Sequence, residues 1–264
     1  MRTDKHRQRD NLRKRWDEHA ESYDEWYKTF EGAVENYVDW ELLKGYLPKD
    51  KDAHILDAAG GTGRITLPLA KMGFSVTLCD ISSGMLSGAR QKLMTEKILH
   101  RVEILECDVN ELCFADERFD FVLCWDGGVE CVKELVRVVK KGGKISLFVM
   151  NRCSTAISAF HGHPDFALNV LTSKSHYVSH GGEKHRVVGT MEARERLEAE
   201  GVTIIDMFAV CGWLDVIRIP EEIRNSHTWD ERYFNKVTEM VLRLSKEPAV
   251  MGMSRHLVLY GEKQ

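Results

Sequence analysis

The sequence predicts an α/β fold, a doubly wound, mostly parallel seven-stranded sheet with helices on both faces. Between residues 55 and 150, five short apolar runs alternate with segments of helical periodicity, which is typical of βαβ units. Two further strand-like runs follow residue 200. The chain has 264 residues, 43% of them hydrophobic, so it can bury one large core.

Residues 11–47 are the first predicted element, a helical region that Gly45 and Pro48 end. Its aromatic side chains recur at spacings of three and four residues. Two interpretations remain open for them: all pack in the core, or those at 23–27 form a lid over a cleft. These aromatic residues are Trp16, Tyr23, Trp26, Tyr27, Phe30, Tyr37 and Trp40.

Strands and helices then alternate regularly. The predicted strands are Ile55 to Asp57, Phe74 to Asp80, Val102 to Cys107, Phe119 to Trp125 and Lys144 to Met150. The predicted helices cover 63–72, 83–98 and 129–140. Because strands that are joined through a helix run in the same direction, the sequence predicts a parallel sheet.

The chain after residue 151 is less regular. Residues 152–189 contain glycine, proline and five histidines, and we expect one helix followed by irregular chain. The histidines are His161, His163, His176, His180 and His185. A helix over 190–200, a strand over 202–210, a helix over 221–245 and a strand over 254–261 complete the prediction.

The charge distribution limits the class of partner. Lys and Arg number 37 and Asp and Glu 41, and this net charge of −4 excludes a bulk basic coat for nucleic acid. The first fifteen residues hold seven basic and two acidic side chains, which gives +5 there and −9 elsewhere. This basic segment is either a solvated terminus or a phosphate-binding arm.

The seven cysteines are odd in number, show no C-x-x-C spacing and lie mostly in apolar segments, which is typical of reduced, buried thiols. The start of the chain is polar, and no apolar run approaches the ~20 residues of a membrane span. We therefore expect a cytoplasmic protein without membrane contact. The histidines lack the spacing of metal ligands, and we expect no metal.

A glycine-rich turn, Ala58-Ala59-Gly60-Gly61-Thr62-Gly63-Arg64, joins the first strand to its helix. Small residues let the backbone turn sharply and approach a ligand, and the helix amides point towards it. This pattern alone is shared with dinucleotide-binding folds. Asp80, at the end of the second strand, is also shared, because a carboxylate there binds ribose in both classes.

Two other carboxylates separate these classes. Asp57 closes the first strand where a pyrophosphate would lie, and two anions so close in a partly desolvated cleft repel strongly. Asp108 follows the third strand, where it can accept a hydrogen bond from an exocyclic amine. Acids at successive strand ends favour a ligand with an ammonium, a ribose diol, an amino-purine and a positive sulfur. S-adenosylmethionine has all four.

The sequence resembles the class I S-adenosylmethionine-dependent methyltransferases, of the type 11-like group, because five motifs recur in order and at that family's spacing. They are the glycine-rich turn, Leu78 to Leu86, Cys107-Asp108-Val109, Phe119 to Leu123 and Lys141-Gly142-Gly143-Lys144. The resemblance implies a Rossmann-like fold and the cofactor S-adenosyl-L-methionine. Ala59 departs from the family, which has glycine there, and we expect binding to survive this small change.

The resemblance also implies the cofactor-binding residues. The glycines of the turn pass the methionine part, Asp80 holds the ribose, Asp108 and Val109 border the adenine, and the pair after the fourth strand flanks the cofactor. The expected set is Asp57, Ala59, Gly60, Gly61, Gly63, Arg64, Asp80, Ile81, Met85, Asp108, Val109, Cys124 and Trp125.

We interpret residues 1–264 as a single methyltransferase domain. In this interpretation 1–47 is a helical lid, 48–151 the cofactor-binding core, and 152–189 an insertion after the fifth strand that caps the cleft. Residues 190–264 complete the sheet.

A finer likeness is to the bacterial tRNA methyltransferases that esterify the 5-carboxymethoxy group of wobble uridine. It is carried by Ile55 to Gln91, Met150-Asn151, Ala209 to Asp215, Glu247-Pro248 and Arg255-His256. Two departures count against an RNA substrate. Residues 33–37 lack the cofactor-binding arginine of those enzymes, and the acidic 16–50 region offers little to an RNA backbone.

We therefore predict a methyltransferase that transfers the methyl group by in-line displacement to an unidentified small-molecule acceptor. Two alternatives stay open: a tRNA wobble-uridine carboxyl methyltransferase, and a non-catalytic nucleoside-cofactor-binding protein or NAD-dependent enzyme. A general base is needed only if the acceptor is a hydroxyl, a thiol or an ammonium. Tyr27 and His161 are the candidates for that role.

Overall fold

The computed structural model describes residues 2–125, 127–180, 183–210, 219–224 and 226–264. Its strands are β1 His54–Ala58, β2 Ser75–Asp80, β3 Val102–Glu106, β4 Phe119–Cys124, β5 Val139–Met150, β6 Tyr177–His180, β7 Glu183–Arg186, β8 Val202–Val210 and β9 His256–Lys263. Its helices are α1 Arg2–His19, α2 Phe30–Lys44, α3 Thr66–Lys71, α4 Ser83–Thr95, α5 Val132–Val138, α6 Arg152–Phe160, α7 Pro164–Thr172, α8 Glu192–Ala199, α9 Glu221–Arg224, α10 Glu231–Leu244 and α11 Pro248–Met253. Short 3₁₀ helices cover Tyr23–Lys28 and Leu99–Arg101.

Seven strands form the main sheet, in the order β3-β2-β1-β4-β5-β9-β8. The first five are parallel, whereas β9 runs antiparallel to both β5 and β8. Strands β6 and β7 form a separate hairpin. The predicted doubly wound, mostly parallel sheet is therefore confirmed.

The strand order reverses between β1 and β4. From β1 the chain proceeds outwards to β2 and β3, then returns to the other side of β1 for β4 and β5. Connections on the two sides diverge at this point and leave a crevice at the carboxyl ends of the strands, which is where open α/β sheets bind ligands.

Helices cover both faces of the sheet, as predicted. On one face the core contains buried side chains of α2, α3, α4 and α10, with Phe30, Leu69 and Leu93 fully buried. On the other face α5 and α8 contribute Leu135 and Leu197. The strands between them are apolar almost throughout, because a sheet covered on both sides has no solvent-facing surface.

The segment 152–189 is more regular than predicted. After α6, Pro164 occupies the first turn of a second helix, α7, where its missing N–H costs nothing. The chain then forms the β6–β7 hairpin. The prediction of irregular chain was wrong, because two short polar segments there pair with each other as antiparallel strands.

Three other boundaries differ from the prediction. The helical region 11–47 divides into α1, the 3₁₀ helix and α2, because Thr29 caps α2 by accepting a hydrogen bond from Gly32 N. The region 221–245 divides into α9 and α10, and Asp230 caps the latter. Helix α11 was not predicted.

Among the helices of the described ranges, none combines the length and the apolar character needed to cross a membrane.

Candidate functional site

The loop after β1 adopts backbone conformations that suit small residues. Gly61 and Gly63 have φ angles of +54° and +74°. A Cβ atom on Gly60 would lie 2.6 Å from Cγ of Asp57, so packing excludes a side chain there. Ala59 also has a positive φ, of 56°, at a cost of roughly 1–2 kcal/mol for a residue with a Cβ. The glycine pattern thus folds the chain tightly around the end of β1.

Asp57 lies behind this loop and is buried. Thr66 Oγ1, in the first turn of α3, donates a hydrogen bond of 2.6 Å to Asp57 Oδ2. Burial raises the pKa of Asp57 to about 6, although the Thr66 hydrogen bond opposes the rise. Asp57 therefore braces the loop, and its charged form carries a solvation penalty.

Asp80, at the end of β2, joins two parts of the crevice. Its Oδ2 accepts a hydrogen bond of 2.9 Å from Gly61 N, and its Oδ1 accepts one of 2.9 Å from Ser82 N. Burial raises the pKa of Asp80, against the effect of these backbone donors. A carboxylate oxygen can accept more than one hydrogen bond, so both oxygens of Asp80 can still accept hydrogen bonds from a ribose diol.

The residues after Asp80 form the start of α4. Ser82 caps the helix by accepting a hydrogen bond of 3.1 Å from Met85 N. Met85 is buried, and its sulfur would lie 3.9 Å from a Cβ atom placed on Gly61. Ile81 lines a small cavity of about 60 Å³ with residues of β3 and α1. Two predicted site residues, Ile81 and Met85, thus lie beside Asp80.

Asp108 follows β3 and contacts the N-terminal helix. Its Oδ1 accepts hydrogen bonds from the backbone N and side-chain Nδ2 of Asn110, at 2.9 and 3.0 Å. Arg9 Nε of α1 lies 3.3 Å from its Oδ2. Val109, next in the chain, is buried. The carboxylates of Asp57, Asp80 and Asp108 thus each have partners within the chain.

The N-terminal segment lies across the site at two further points. Asp17 Oδ1 accepts hydrogen bonds from Ser82 Oγ at 2.6 Å and from Gly84 N at 2.9 Å. Asp24 Oδ1 accepts one of 2.8 Å from Thr62 Oγ1 in the glycine-rich loop. Residues 17–24 therefore contact the same loop and helix start that Asp80 joins.

The aromatic residues of 11–47 lie in separate groups. Phe30 is fully buried and packs against Trp229, Tyr233 and Phe234 of the C-terminal region. Three others form an edge-to-face series: Trp16 to Tyr23 at 6.1 Å and Tyr23 to Tyr27 at 5.9 Å between ring centroids.

Arg64 ends the loop and belongs to a buried polar cluster. Its Nη1 donates to Asp39 Oδ2 at 2.9 Å and to Asn36 Oδ1 at 3.1 Å, both on α2. Its guanidinium carbon lies 4.5 Å from the ring centroid of Tyr27 and 5.6 Å from that of Trp125. Burial raises the pKa of Asp39 to about 6, against the effect of Arg64.

Two predicted residues lie at the end of β4: Cys124 is its last residue, and Trp125 follows it. Trp125 Nε1 donates a hydrogen bond of 2.8 Å to Ser146 Oγ of β5. Its ring lies 5.8 Å from that of Phe148. Cys124 is fully buried, with its sulfur 3.6 Å from that of Cys131. Trp125 thus lies at the carboxyl end of β4, at the edge of the crevice, and Cys124 is buried directly before it.

Glu35 and His256 bring a further acid and base to the same edge of the sheet. Glu35 is 5% exposed, and its Oε1 lies 3.5 Å from His256 Nδ1. Its Oε2 accepts a hydrogen bond of 3.3 Å from Trp26 Nε1. Burial opposes ionisation of Glu35, but the neighbouring His256 and Arg64 outweigh it and lower the pKa of Glu35 to about 2.

The two base candidates have different surroundings. Tyr27 is packed on Arg64, and burial raises the pKa of its hydroxyl far above its usual range. His161 is exposed at the end of α6, nine residues beyond the start of that helix. At 1.5 Å per residue this is roughly 14 Å along the helix axis. His161 is not among the residues that the site brings together.

Sequence reasoning missed Glu35, Asp39, Asp17 and Asp24 as members of the site. A signal existed for the first two, because they lie four residues apart on α2, beside the buried Val34 and Val38. Acids on an apolar helix face indicate a buried polar partner. No comparable signal marks Asp17 and Asp24, whose partners are distant in sequence.

In the described part of the chain, no three His, Cys, Asp or Glu side chains are grouped so as to hold a metal ion.

The sequence matches known proteins over its central part. Residues 55–143 match the family described as "Methyltransferase domain". The ubiquinone/menaquinone biosynthesis C-methyltransferase of Pseudomonas paraeruginosa is 26% identical over 141 residues, which are 50% of this chain and 55% of that protein. The Nitrobacter hamburgensis enzyme of the same name is 35% identical over 101 residues, 34% of this chain and 39% of its own length. The chain thus matches about half the length, or less, of these relatives.

Solved structures share the fold. A S-adenosylmethionine-dependent methyltransferase from Methanosarcina mazei has a TM-score of 0.57 at 18% identity, with 84% of this chain and 96% of that chain covered. Geranyl diphosphate C-methyltransferase from Streptomyces coelicolor, solved with S-adenosyl-L-homocysteine, has a TM-score of 0.55 at 12% identity, with 86% and 79% covered.

Proposed function

We propose that this chain, which contains a class I S-adenosylmethionine-dependent methyltransferase domain, methylates a small-molecule acceptor. The observation that carries the proposal is the position of Asp80 at the carboxyl end of β2, the strand next to β1. Its two oxygens hold Gly61 N of the glycine-rich loop and Ser82 N of the α4 cap. A carboxylate fixed in this way is prepared to bind a ribose diol beside a loop of close-approaching backbone.

The residues present fit S-adenosyl-L-methionine. In our proposal Gly60, Gly61 and Gly63 contact the methionine part, and Asp80 the ribose. Five further residues of the predicted set stand around the adenine and the sulfur: Ile81, Met85, Asp108, Val109 and Trp125. When bound, this cofactor supplies a methyl group on a positively charged sulfur. The chain needs only to align the acceptor with that methyl group and to exclude water.

Asp57 argues against a dinucleotide. Burial raises the pKa of this carboxyl, and the negative charge of the nearby Asp80 adds to the rise, against the effects of Thr66 and Arg64. A pyrophosphate at the loop would add two more negative charges. An ammonium and a sulfonium would instead reduce the penalty that burial places on these acids.

The basic N-terminal segment gives little support to an RNA substrate. Arg9 lies within 3.6 Å of carboxylate oxygens of Asp108 and Glu111, and Arg13 at the same distance from Glu106. Both side chains therefore have acidic partners in the body of the protein. This makes Arg9 and Arg13 less available to a polyanion, whose binding needs free cations.

We also propose that the chain acts as one domain in which 1–47 and 152–189 cover the cleft. The contacts of Asp17 and Asp24 with the loop support the first part. We also propose a cytoplasmic location, because seven cysteines without C-x-x-C spacing are typical of reduced, buried thiols.

Calorimetry with S-adenosylmethionine, S-adenosylhomocysteine and NAD tests the proposal. We expect both sulfur compounds to bind and NAD not to bind; tight NAD binding without a response to the sulfonium would refute it. Label from methyl-labelled cofactor should then enter a small-metabolite extract. Label found only in deproteinised RNA would favour the tRNA alternative, and binding without transfer to either would favour a non-catalytic role.

A further inference from the structure

His256 occupies a position that the proposed function does not yet use. It is the first residue of β9, where it stands opposite Met150 at the end of β5 and Val210 at the end of β8. Because β9 is antiparallel to its neighbours, its beginning lies at the edge where the parallel strands end. His256 therefore faces the same crevice edge as Trp125 and the loop after β1.

The imidazole is only partly enclosed by the protein. Its ring lies 4.6 Å from that of Phe148, and its side chain is 14% exposed. Among the described residues, Nδ1 has no hydrogen-bond partner, and the nearest carboxylate oxygen, Glu35 Oε1, is 3.5 Å away. This distance suits an ion pair and is long for a hydrogen bond, as is common for catalytic pairs without their substrate.

Glu35 is well placed to orient the ring. It is held by Trp26 Nε1 on one side and is kept ionised by His256 and Arg64. An anion at Nδ1 fixes that nitrogen as the protonated one and leaves Nε2 with its lone pair. Carboxylate and imidazole then form the arrangement in which a histidine accepts a proton from a nucleophile.

The distance across the sheet suits a reaction between the cofactor and His256. Trp125, proposed to flank the sulfur, follows β4, and His256 begins β9, two strands away. Neighbouring strands are ~4.8 Å apart, so the two positions are separated by roughly 10 Å. Phe148 of β5 lies between them, with its ring 5.8 Å from Trp125 and 4.6 Å from His256. A small acceptor above β5 would reach both.

Resting on the proposed function, we propose that His256 is the catalytic base that deprotonates the methyl acceptor, and that Glu35 positions it. The acceptor's electron pair forms a bond to the methyl carbon, the carbon–sulfur electron pair stays on sulfur, and the acceptor's proton passes to His256 Nε2. The products are the methylated acceptor, S-adenosylhomocysteine and a proton that the ring later releases to water.

This assignment restricts the acceptor class. A hydroxyl, a thiol, an ammonium or an acidic carbon must lose a proton to accept a methyl group, whereas a carboxylate need not. The acceptor is therefore a proton-bearing nucleophile. Esterification of a carboxylate, which the tRNA alternative requires, would leave the Glu35–His256 pair without a task.

The first experiment determines the product class without knowledge of the acceptor. Wild-type protein is incubated with methyl-labelled S-adenosylmethionine and either a small-metabolite extract or bulk RNA, and the products are treated with mild alkali. Methyl esters release labelled methanol, and methyl ethers, thioethers, amines and C-methyl products do not. We expect alkali-stable label. Volatile label would overturn the base while leaving the methyltransferase proposal intact, and no transfer at all would overturn both.

The second experiment uses variants with that same extract. We expect His256→Gln to lower kcat at least 100-fold while cofactor affinity by calorimetry stays within twofold. The matched control, His227→Gln, changes an exposed histidine and should retain full activity. Wild-type turnover in H256Q, or a loss explained by cofactor affinity alone, would overturn the assignment.

Glu35→Gln tests positioning against mere structural support. The Glu35 carboxylate lies 3.5 Å from Nδ1, so its replacement by a neutral amide should reduce kcat and move the acidic limb of the pH–rate profile to lower pH. Asp39, Arg64 and Arg255 also act on this region electrostatically and remain in the variant. A reduced kcat with an unmoved acidic limb would overturn the positioning role.

Discussion

Asp57→Asn should make the protein more stable at neutral pH. The carboxyl is 3% exposed, and burial raises its pKa from 3.8 to about 6. A rise of this size corresponds to ~3 kcal/mol of unfolding free energy lost when the group ionises in the folded state. The asparagine carbonyl can still accept from Thr66, but its NH₂ group needs a partner, so we expect a net gain of ~1–3 kcal/mol.

The sign of the pH dependence follows from the direction of the shift. Since the folded state binds the Asp57 proton more tightly than the unfolded state does, stability falls as pH rises from about 4 to about 6. The full penalty is present above about 6. Urea unfolding of wild type and D57N at pH 7.5 and pH 4 measures this penalty as a difference in the free energy of unfolding. The two proteins should differ at pH 7.5 and converge at pH 4.

Asp120 provides a control of opposite sign. It accepts hydrogen bonds from His54 N and Lys140 Nζ, and these partners lower its pKa despite partial burial. Asp120→Asn should therefore destabilise the protein at pH 7.5. Equal stability of D57N and wild type at pH 7.5, or a difference that persists unchanged at pH 4, would refute the reasoning. In our proposal the gain accompanies weaker binding of S-adenosylmethionine, because the negative charge beside the loop is lost.

Three further outcomes are expected. Asp80→Asn should weaken S-adenosylmethionine binding about 10- to 100-fold in calorimetry with an unchanged circular dichroism spectrum, because charged hydrogen bonds contribute ~1.5–3 kcal/mol; unchanged affinity would show that the ribose lies elsewhere. Arg152→Ala removes hydrogen bonds of 2.7–2.9 Å to three backbone oxygens between residues 170 and 175, so it should cost ~2–3 kcal/mol and speed limited proteolysis within 152–189; a wild-type digestion rate would contradict this anchor. Ala59→Gly should raise the unfolding free energy by up to ~1 kcal/mol by relieving its positive φ, and a loss of stability in urea would contradict that account.

The order of strands and helices could be predicted from the sequence because each is marked locally. The glycine-rich turn, for example, comes at the boundary between an apolar run and a helical pattern. The position of β9 between β5 and β8 could not be derived from periodicity, since it depends on pairing across more than a hundred residues with β5. The hairpin of residues 177–186 was missed because its strands are short and polar.

For the site, sequence identified the residues that sit at strand ends but not their partners. Arg9 and Asp108 are almost a hundred positions apart in the sequence, and no local pattern around either residue predicts their contact. His176 lies between the carboxylates of Glu130 and Glu192, and the sequence around it gives no sign of these contacts. Tertiary proximity of charged groups arises from the whole fold, whereas sequence spacing reports only contacts within one element.

The placement of β9 also has a consequence for synthesis of the chain. Among the strands that the structure describes, β8 pairs with β9 alone, although β9 follows it by more than forty residues. During translation, β8 therefore emerges before this neighbour exists, and β5 keeps an open edge for the same interval. Completion of the sheet must wait for residues 256–263. If translation stalls before these residues, the nascent chain exposes β8 and the open edge of β5 without their partner strand. We therefore expect the chain to depend most on chaperones at this stage.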